Sequence, residues 1–356
     1  MIEHVIGNLL EADAEAFVNT VNTVGVMGKG IALQFRQAFP ENYAIYRSAC
    51  DRGEVQPGQM LVVSTGQLAN PRYIINFPTK RHWKGKSRME DIEAGLPALI
   101  AAVQEHGVRS IAVPPLGCGN GGLDWNDVRP RIEAAFAALP EVHVLLYAPA
   151  GAPSADEMRV NTRRPNMTPG RAAIIALMKL YALPGYSMTL LEIQKLAYFL
   201  QVAGEPLRLS FVKGKYGPYS ETMQHVLQRM EGHYIRGYGD RSREASIRLV
   251  PPADSEAEEF LRDYPVTQTR LDQVAKLIEG FETPYAMELL ATVHWLVNED
   301  PELRDDPTAI VRAVHSWNEH KQGFPAHHIQ TAWSQLRESG WLEPPFLAST
   351  EAASAQ

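Results

Sequence analysis

Residues 18–39 read VNTVNTVGVMGKGIALQFRQAF. Their parsing decides the fold. An apolar, β-branched run, Phe17–Val21, passes into a loop holding Gly25, Gly28 and Gly30, and that loop opens an amphipathic stretch, Gly30–Ala38. A strand that runs through glycines into a helix is the repeating unit of an α/β sheet. The same arrangement has a chemistry. Glycines let backbone N–H groups approach a diphosphate closely, and the helix N-terminus supplies a fixed positive potential. The spacing is not the dinucleotide-binding G-x-G-x-x-G, and Ile31 stands where a P-loop requires Ser or Thr after its lysine.

Working outward, short runs rich in β-branched and aromatic residues recur at Ile2–Ile6, Met60–Ser64, Tyr73–Phe77, Ile111–Pro114 and Val142–Tyr147. Helical spacing separates several of them. In Ile92–Glu105, the residues Ile92, Leu96, Leu99, Ile100 and Val103 share one face, and Asp127–Ala138 reads the same way. The expectation is a mixed or parallel sheet covered by helices on both faces. A second glycine loop, PLGCGNGGLDW at Pro115–Trp125, lies between the strand Ile111–Pro114 and the helix from Asp127. Two glycine loops beside one sheet would grip a diphosphate from both sides, which points to a nucleotide diphosphate ligand.

With 356 residues, the chain suits two domains. Residues 151–168, rich in Pro, Gly, Ser and Ala, read as a linker between a domain at 1–150 and a second at 169–356. The second domain reads as mainly helical, over Arg171–Leu183, Leu190–Val202, Tyr219–Glu231, Leu271–Phe281, Pro284–Asn298, Pro307–Glu319 and Ala326–Ser339. Two β-like stretches, Arg208–Val212 and Ser246–Val250, interrupt it, and the final STEAASAQ reads as a fraying tail. No apolar run is long enough to span a membrane, and the N-terminus lacks the pattern of a secretory signal. Two cysteines, Cys50 and Cys118, fit a reducing cytoplasm, and no His/Cys spacing suggests a metal site or a cofactor. The net charge of −7 is unevenly held. Residues 1–165 carry 16 basic and 17 acidic side chains, and residues 166–356 carry 18 and 24. The second half is therefore the acidic one, suited to a basic partner.

GNLL near the start, VNTVNTVGVMGKGIALQF and PLGCGNGGLDW together resemble the macrodomain, an ADP-ribose-binding three-layer α/β/α sandwich. With INFPTKRHWKGKSRMEDIEAGL at Ile75–Leu96, the resemblance is to the DarG branch, antitoxins that strip ADP-ribose from DNA. It implies that Lys80 carries catalysis and that Asn22 sits near the distal ribose. It places Gly28, Lys29, Gly30 and Ile31 on the diphosphate loop, and Pro115, Leu116, Gly117, Cys118, Gly119, Asn120 and Gly121 on the other side, with Leu9 and Thr79 also lining the ligand. Asn8 stands where many macrodomains carry an aspartate for the adenine amino group, a contact its carbonyl oxygen still makes without charge. Gly121 stands where related glutamate-linked hydrolases carry a catalytic aspartate, so their two-residue mechanism does not transfer.

A lysine suits the reaction. Cleaving an N-glycosidic bond at the distal ribose develops oxocarbenium character at the anomeric carbon and negative charge on the leaving base. An ammonium stabilises or protonates the leaving group, whereas a desolvated amine attacks the carbon. The residues leave both roles open. Around Lys80, the side chains Arg81, His82, Trp83, Lys84 and Lys86 interleave cations with aromatics, the pattern of a single-stranded nucleic-acid surface. Cys118 reads as a small buried residue, Asp124 and Asp127 as helix-start residues, and His327–His328 as a surface pair whose rings point apart.

In the second half, QKLAYFLQ and KYGPYS are similar to a helical antitoxin module. Through the DarG resemblance this half binds the cognate DarT-type toxin, an ADP-ribosyltransferase acting on single-stranded DNA. Asp254, Glu256, Glu258, Glu259 and Asp263 are the candidate acids for its basic groove. The resulting expectation is a cytoplasmic antitoxin and hydrolase of ADP-ribosylated single-stranded DNA, modified on thymidine. Two alternatives stay open: a non-catalytic ADP-ribose reader, and a hydrolase of ADP-ribosylated protein acids or of ADP-ribose phosphate.

Overall fold

The computed structural model describes residues 1–150, 158–181, 186–239, 246–343 and 346. Residues 151–157 of the expected linker, Leu183 at the end of an expected helix, and the STEAASAQ tail lie outside the described residues. The chain divides into two compact units, Met1–Arg163 and Arg164–Gln356.

The first unit is a six-stranded sheet in the order β1-β6-β5-β2-β4-β3. Its strands are β1 (Ile2–Val5), β2 (Ala16–Asn22), β3 (Leu61–Ser64), β4 (Tyr73–Lys80), β5 (Ser110–Val113) and β6 (His143–Tyr147). All pairs are parallel except β3–β4, which is antiparallel. Side-chain alternation along the strands separates two cores. Ala16, Val18, Ile75, Phe77, Ile111 and Val113 face α3 (Met89–Glu105) and α4 (Trp125–Phe136). Phe17, Ile74 and Ala112 face α1 (Gly30–Ala38) through Phe35 and Ala38. This is the α/β/α sandwich expected. A helix not foreseen, α2 (Pro40–Asp51), restarts directly after α1, with Pro40 in its first turn where a missing N–H costs nothing. Its Tyr46 and Ala49 cover Val21 and Met27 beneath the first glycine loop.

The second unit holds one large apolar cluster. The described residues include α5 (Pro169–Tyr181), α6 (Leu190–Val202), α7 (Glu221–Met230), α8 (Ala253–Leu261), α9 (Pro265–Ile278), α10 (Pro284–Glu299), α11 (Pro307–His315), α12 (Glu319–Gln322) and α13 (Ala326–Glu338). The strand expected at Arg208–Val212 is displaced. Gln201 bonds both the N–H and the carbonyl of Leu209, at 2.7 and 2.8 Å, so a side-chain amide takes the place of a ladder partner. The hairpin forms further on, as β7 (Val212–Gly214) and β8 (Gly217–Tyr219). Of Ser246–Val250, only Arg248–Leu249 is a strand; this β10 pairs with β9 (Ile235–Arg236).

QKLAYFLQ and KYGPYS meet. Gln194 on α6 bonds the N–H and carbonyl of Ser220 at 3.0 and 2.9 Å, and the buried Lys195 donates to the Pro218 carbonyl at 2.6 Å. Lys321, fully buried, donates to Glu288 at 2.7 Å and to Thr292 at 2.8 Å. Burial, followed by the like charge of Lys321, holds Lys195 down to about 7. Three of the five candidate acids are already paired: Glu256 with Arg164 at 2.6 Å, and Glu258 and Asp254 with Lys179 at 2.6 and 3.5 Å. Only Glu259 and Asp263 of that set lack an ion partner among the described residues. The rings of His327 and His328 do not diverge. They meet edge to face at 4.3 Å, with the His328 Nδ1 2.8 Å from the Tyr285 hydroxyl.

Candidate active site

Three loops leave the carboxyl ends of the adjacent parallel strands β5, β2 and β4, where open α/β sheets bind ligands. The first, after β2, is folded by Asn22. Its side-chain oxygen accepts from Val24 and Val26 N–H at 3.1 and 3.3 Å, its Nδ2 donates to the Val26 carbonyl, and the Tyr46 hydroxyl donates to its main-chain carbonyl at 2.6 Å. Asn22, which the resemblance sets near the distal ribose, is thus buried and spent largely on shaping this loop. The loop delivers Gly28, Lys29 and Gly30 to the start of α1. No side chain caps α1, which leaves its first-turn N–H groups without an intrahelical partner, the condition under which a helix start can receive an anion. Gly30 adopts φ +56°, and a Cβ there would lie 2.9 Å from the Asn120 amide nitrogen. The two glycine loops therefore touch.

The second loop, after β5, is built from close backbone contacts. Leu123 N–H donates to Gly117 O at 3.1 Å, and Gly122 N–H to Gly119 O at 3.0 Å. A Cβ on Gly121 would fall 2.2 Å from Gly117 O and 2.3 Å from the Ser87 hydroxyl, so no side chain fits. The aspartate of the glutamate-linked hydrolases is excluded here by packing. Leu116 is fully buried, Pro115 half-buried. Cys118 bonds Leu116 O at 3.4 Å through Sγ, and burial pushes its thiol up to about 11, which removes it as a nucleophile. Asp124 caps α4 by accepting from Asn126 N–H at 2.8 Å, as its position suggested.

The third loop, after β4, starts at Lys80. The β2–β4 register pairs Val21 with Pro78 and then Asn22 with Lys80, so Thr79 is an extra, buried residue in a bulge. The Lys80 ammonium reaches across to the Asn120 carbonyl of the second loop. Burial alone holds it below the ordinary lysine range, and no carboxylate pairs with it among the described residues. Arg81 is not a free cation. It makes two bonds, 2.9 and 3.3 Å, to Asp91, a nearly buried acid in the first turn of α3. His82 and Trp83 stack at 5.6 Å, and the Lys84 ammonium sits 4.8 Å from the Trp83 ring centre. Trp83 is 45% exposed, and Lys84 and Lys86 are exposed. Ser87 closes the loop onto its neighbour, its N–H donating to Gly121 O at 3.0 Å.

Asn8 caps a short 3₁₀ turn at Leu9–Glu11, its side-chain oxygen accepting from Leu10 N–H at 3.1 Å. One lone pair of that oxygen is thereby committed, and the other is left for a base. The Leu9 side chain is in the core, so Leu9 offers only its backbone. Ser87 and Asp91 were not legible as site residues. Only Asp91 carried a signal, as an acid at a helix start just after a basic run. Among the described residues no three His, Cys, Asp or Glu side chains converge as a metal site.

The arrangement brings together two glycine loops, the start of α1 and one cation with a lowered pKa, with a cationic–aromatic loop beside them. Residues 18–132 match the Macro domain family model. The chain is 51% identical, over 97% of its length and 95% of the relative's, to a DNA ADP-ribosyl glycohydrolase of Thermus aquaticus. A DNA ADP-ribosyl transferase–DNA ADP-ribosyl glycohydrolase fusion protein of Thermosipho africanus is 34% identical over 41% of each chain. The solved macrodomain of Thermus aquaticus DarG is 60% identical, covering 42% of this chain and 99% of that one with a TM-score of 0.41. With a relative this similar along nearly its whole length, and with both glycine loops and Lys80 on one macrodomain sheet, the chain belongs to the DarG family of macrodomain proteins.

Proposed function

We propose that this protein hydrolyses the N-glycosidic link between ADP-ribose and a base of single-stranded DNA, thymidine being the expected base, and so reverses a DarT-type toxin. The observation that carries the reading is the placement of Lys80. It bonds the Asn120 carbonyl of the second glycine loop, which touches the first, at the root of a loop whose exposed Trp83, Lys84 and Lys86 suit a DNA strand. The diphosphate lies against the first turn of α1 and the Gly117–Gly121 loop, with adenine toward Asn8 and Leu9. The modified base then leaves toward Lys80. The near-complete match to a relative named DNA ADP-ribosyl glycohydrolase supports the activity, and the fusion relative, which joins a transferase to a glycohydrolase in its name, supports a toxin as partner. The acidic second unit is the part we assign to toxin binding.

The test is release of free ADP-ribose from an ADP-ribosylated single-stranded oligonucleotide by native protein and by Lys80→Ala. Native turnover that falls by roughly a hundredfold or more in the variant is the expected result, in the range for losing one positioned proton-transfer or charge-stabilising group. Binding of ADP-ribose without release would favour the reader.

A further inference from the structure

On the reading of Lys80 as the catalytic group, Thr23, which lies inside the VNTVNTVGVMGKGIALQF stretch but is given no role there by the resemblance, bears on where that group sits. Lys80 follows a bulge. A strand's side chains alternate faces, so the extra residue Thr79 determines that Lys80, rather than Thr79, stands beside Asn22. A bulge also interrupts the ladder, and beyond it pairing resumes for the single pair Asn22–Lys80, at which β2 ends. At that last pair and just past it, the strand end is held by Thr23. Its backbone N–H donates to Lys80 O at 3.1 Å, and its hydroxyl donates to Arg81 O at 2.7 Å. Two consecutive carbonyls of the strand end are thus taken by one residue of the first loop. The side chain of Arg81 is tied separately to Asp91, and Ser87 N–H to Gly121.

We propose that Thr23 is the positioning residue for Lys80: by gripping the peptide units on either side of the bulged strand end, it keeps the ammonium at the Asn120 carbonyl of the second glycine loop. The Thr23 bonds go to the Lys80 and Arg81 carbonyls, whereas the Lys80 ammonium bonds the Asn120 carbonyl, so the effect of Thr23 passes through the backbone of Lys80 and Arg81. The hydroxyl is the separable part. Thr23→Val keeps the shape and the N–H but removes the O–H donor, leaving the Arg81 carbonyl without that partner. Thr23→Ser restores the donor.

The experiment has two readouts on the full chain. The first is steady-state release of ADP-ribose from an ADP-ribosylated single-stranded oligonucleotide. Thr23→Val is expected to lower kcat about tenfold with KM within about twofold, since misplacement of a catalytic group by a fraction of an ångström costs rate more than binding. Thr23→Ser is expected to recover native kcat within about twofold. The second readout does not need turnover. Lysines are labelled by ¹³C reductive methylation, the Lys80 signal is assigned with Lys80→Arg, and its pH titration is followed. In Thr23→Val it is expected to titrate nearer the ordinary lysine range, because a released ammonium regains water. An unchanged kcat, a loss confined to KM, or a kcat loss that Ser does not rescue overturns the proposal. An unchanged Lys80 titration in Thr23→Val does so as well. A native protein that releases no ADP-ribose defeats the hydrolase reading, and the titration then still decides whether Thr23 places Lys80.

Discussion

At Lys80 the governing facts are its partial burial and the lack of a carboxylate partner among the described residues. An ammonium without a carboxylate partner, held below the ordinary lysine range by burial, titrates closer to working pH than a surface lysine. The pH profile of kcat should therefore carry a limb below the usual lysine value of about 10.4. A limb that falls as pH rises identifies the ammonium as the working form, and one that rises identifies the amine. Lys80→Arg, which cannot lose its proton, should keep part of the activity in the first case and none in the second. Gly121 gives a second prediction. Because a Cβ there would overlap Gly117 O and the Ser87 hydroxyl, Gly121→Ala must deform the second loop. ADP-ribose affinity measured by calorimetry should fall by about tenfold or more, and Gly121→Asp should fall likewise without gaining an acid catalyst. An affinity within twofold of native would show that the loop yields.

Among the elements, the loop from Arg81 to Ser87 shows what a sequence can and cannot disclose. Its composition raised the expectation of a nucleic-acid surface, and the division of labour within it is set by tertiary contacts. Arg81 serves Asp91, leaving Lys84 and Lys86 as the loop's exposed cations without a carboxylate partner among the described residues, beside the exposed His82 and Trp83. Charge reversal of Lys84 and Lys86 together should weaken binding to the modified oligonucleotide. It should also reduce the slope of log affinity against log salt by about 1.4, at roughly 0.7 per phosphate contact on a single strand. An unaltered slope would remove the loop from the DNA interface. The sheet itself was readable because its strands are short, β-branched and bounded by glycines. The bulge at Thr79 was not, because nothing in YIINFPTK marks one residue as extra; the register depends on β2. The strand expected at Arg208–Val212 failed for a related reason, since the partner of Leu209 is a glutamine side chain one helix away.

A buried element of the second unit carries its own pH dependence. Lys195 is held near 7, whereas in the unfolded chain it titrates near 10.4, so between these values the unfolded state binds more protons and stability rises with pH. Lys321, also lowered by burial, acts in the same direction. Urea unfolding followed by fluorescence should show this rise from about pH 7 upward, and Lys195→Met should flatten it. A native curve that is flat or falling over that window would contradict the burial argument.

Over the whole molecule, the two units have separate hydrophobic clusters and very different charge, near neutral in residues 1–165 and strongly acidic beyond. If hydrolysis belongs to the first and toxin binding to the second, a full chain carrying Lys80→Ala should still retain a DarT-type transferase in a pull-down while releasing no ADP-ribose. Loss of both together would mean that one surface serves both tasks. The sheet order has a further consequence, for synthesis. β1 lies at one edge and pairs only with β6, joining Ile2–Val5 to Val144–Tyr147, and β6 also completes β5. A nascent chain emerging from the ribosome therefore cannot close this sheet until nearly the entire first unit is made. Until then the Ile111–Val113 edge stands open. Such distant pairing slows folding and exposes strand edges to neighbours. Translation that pauses before His143 should leave this unit dependent on chaperones, whereas a pause after Tyr147 should not.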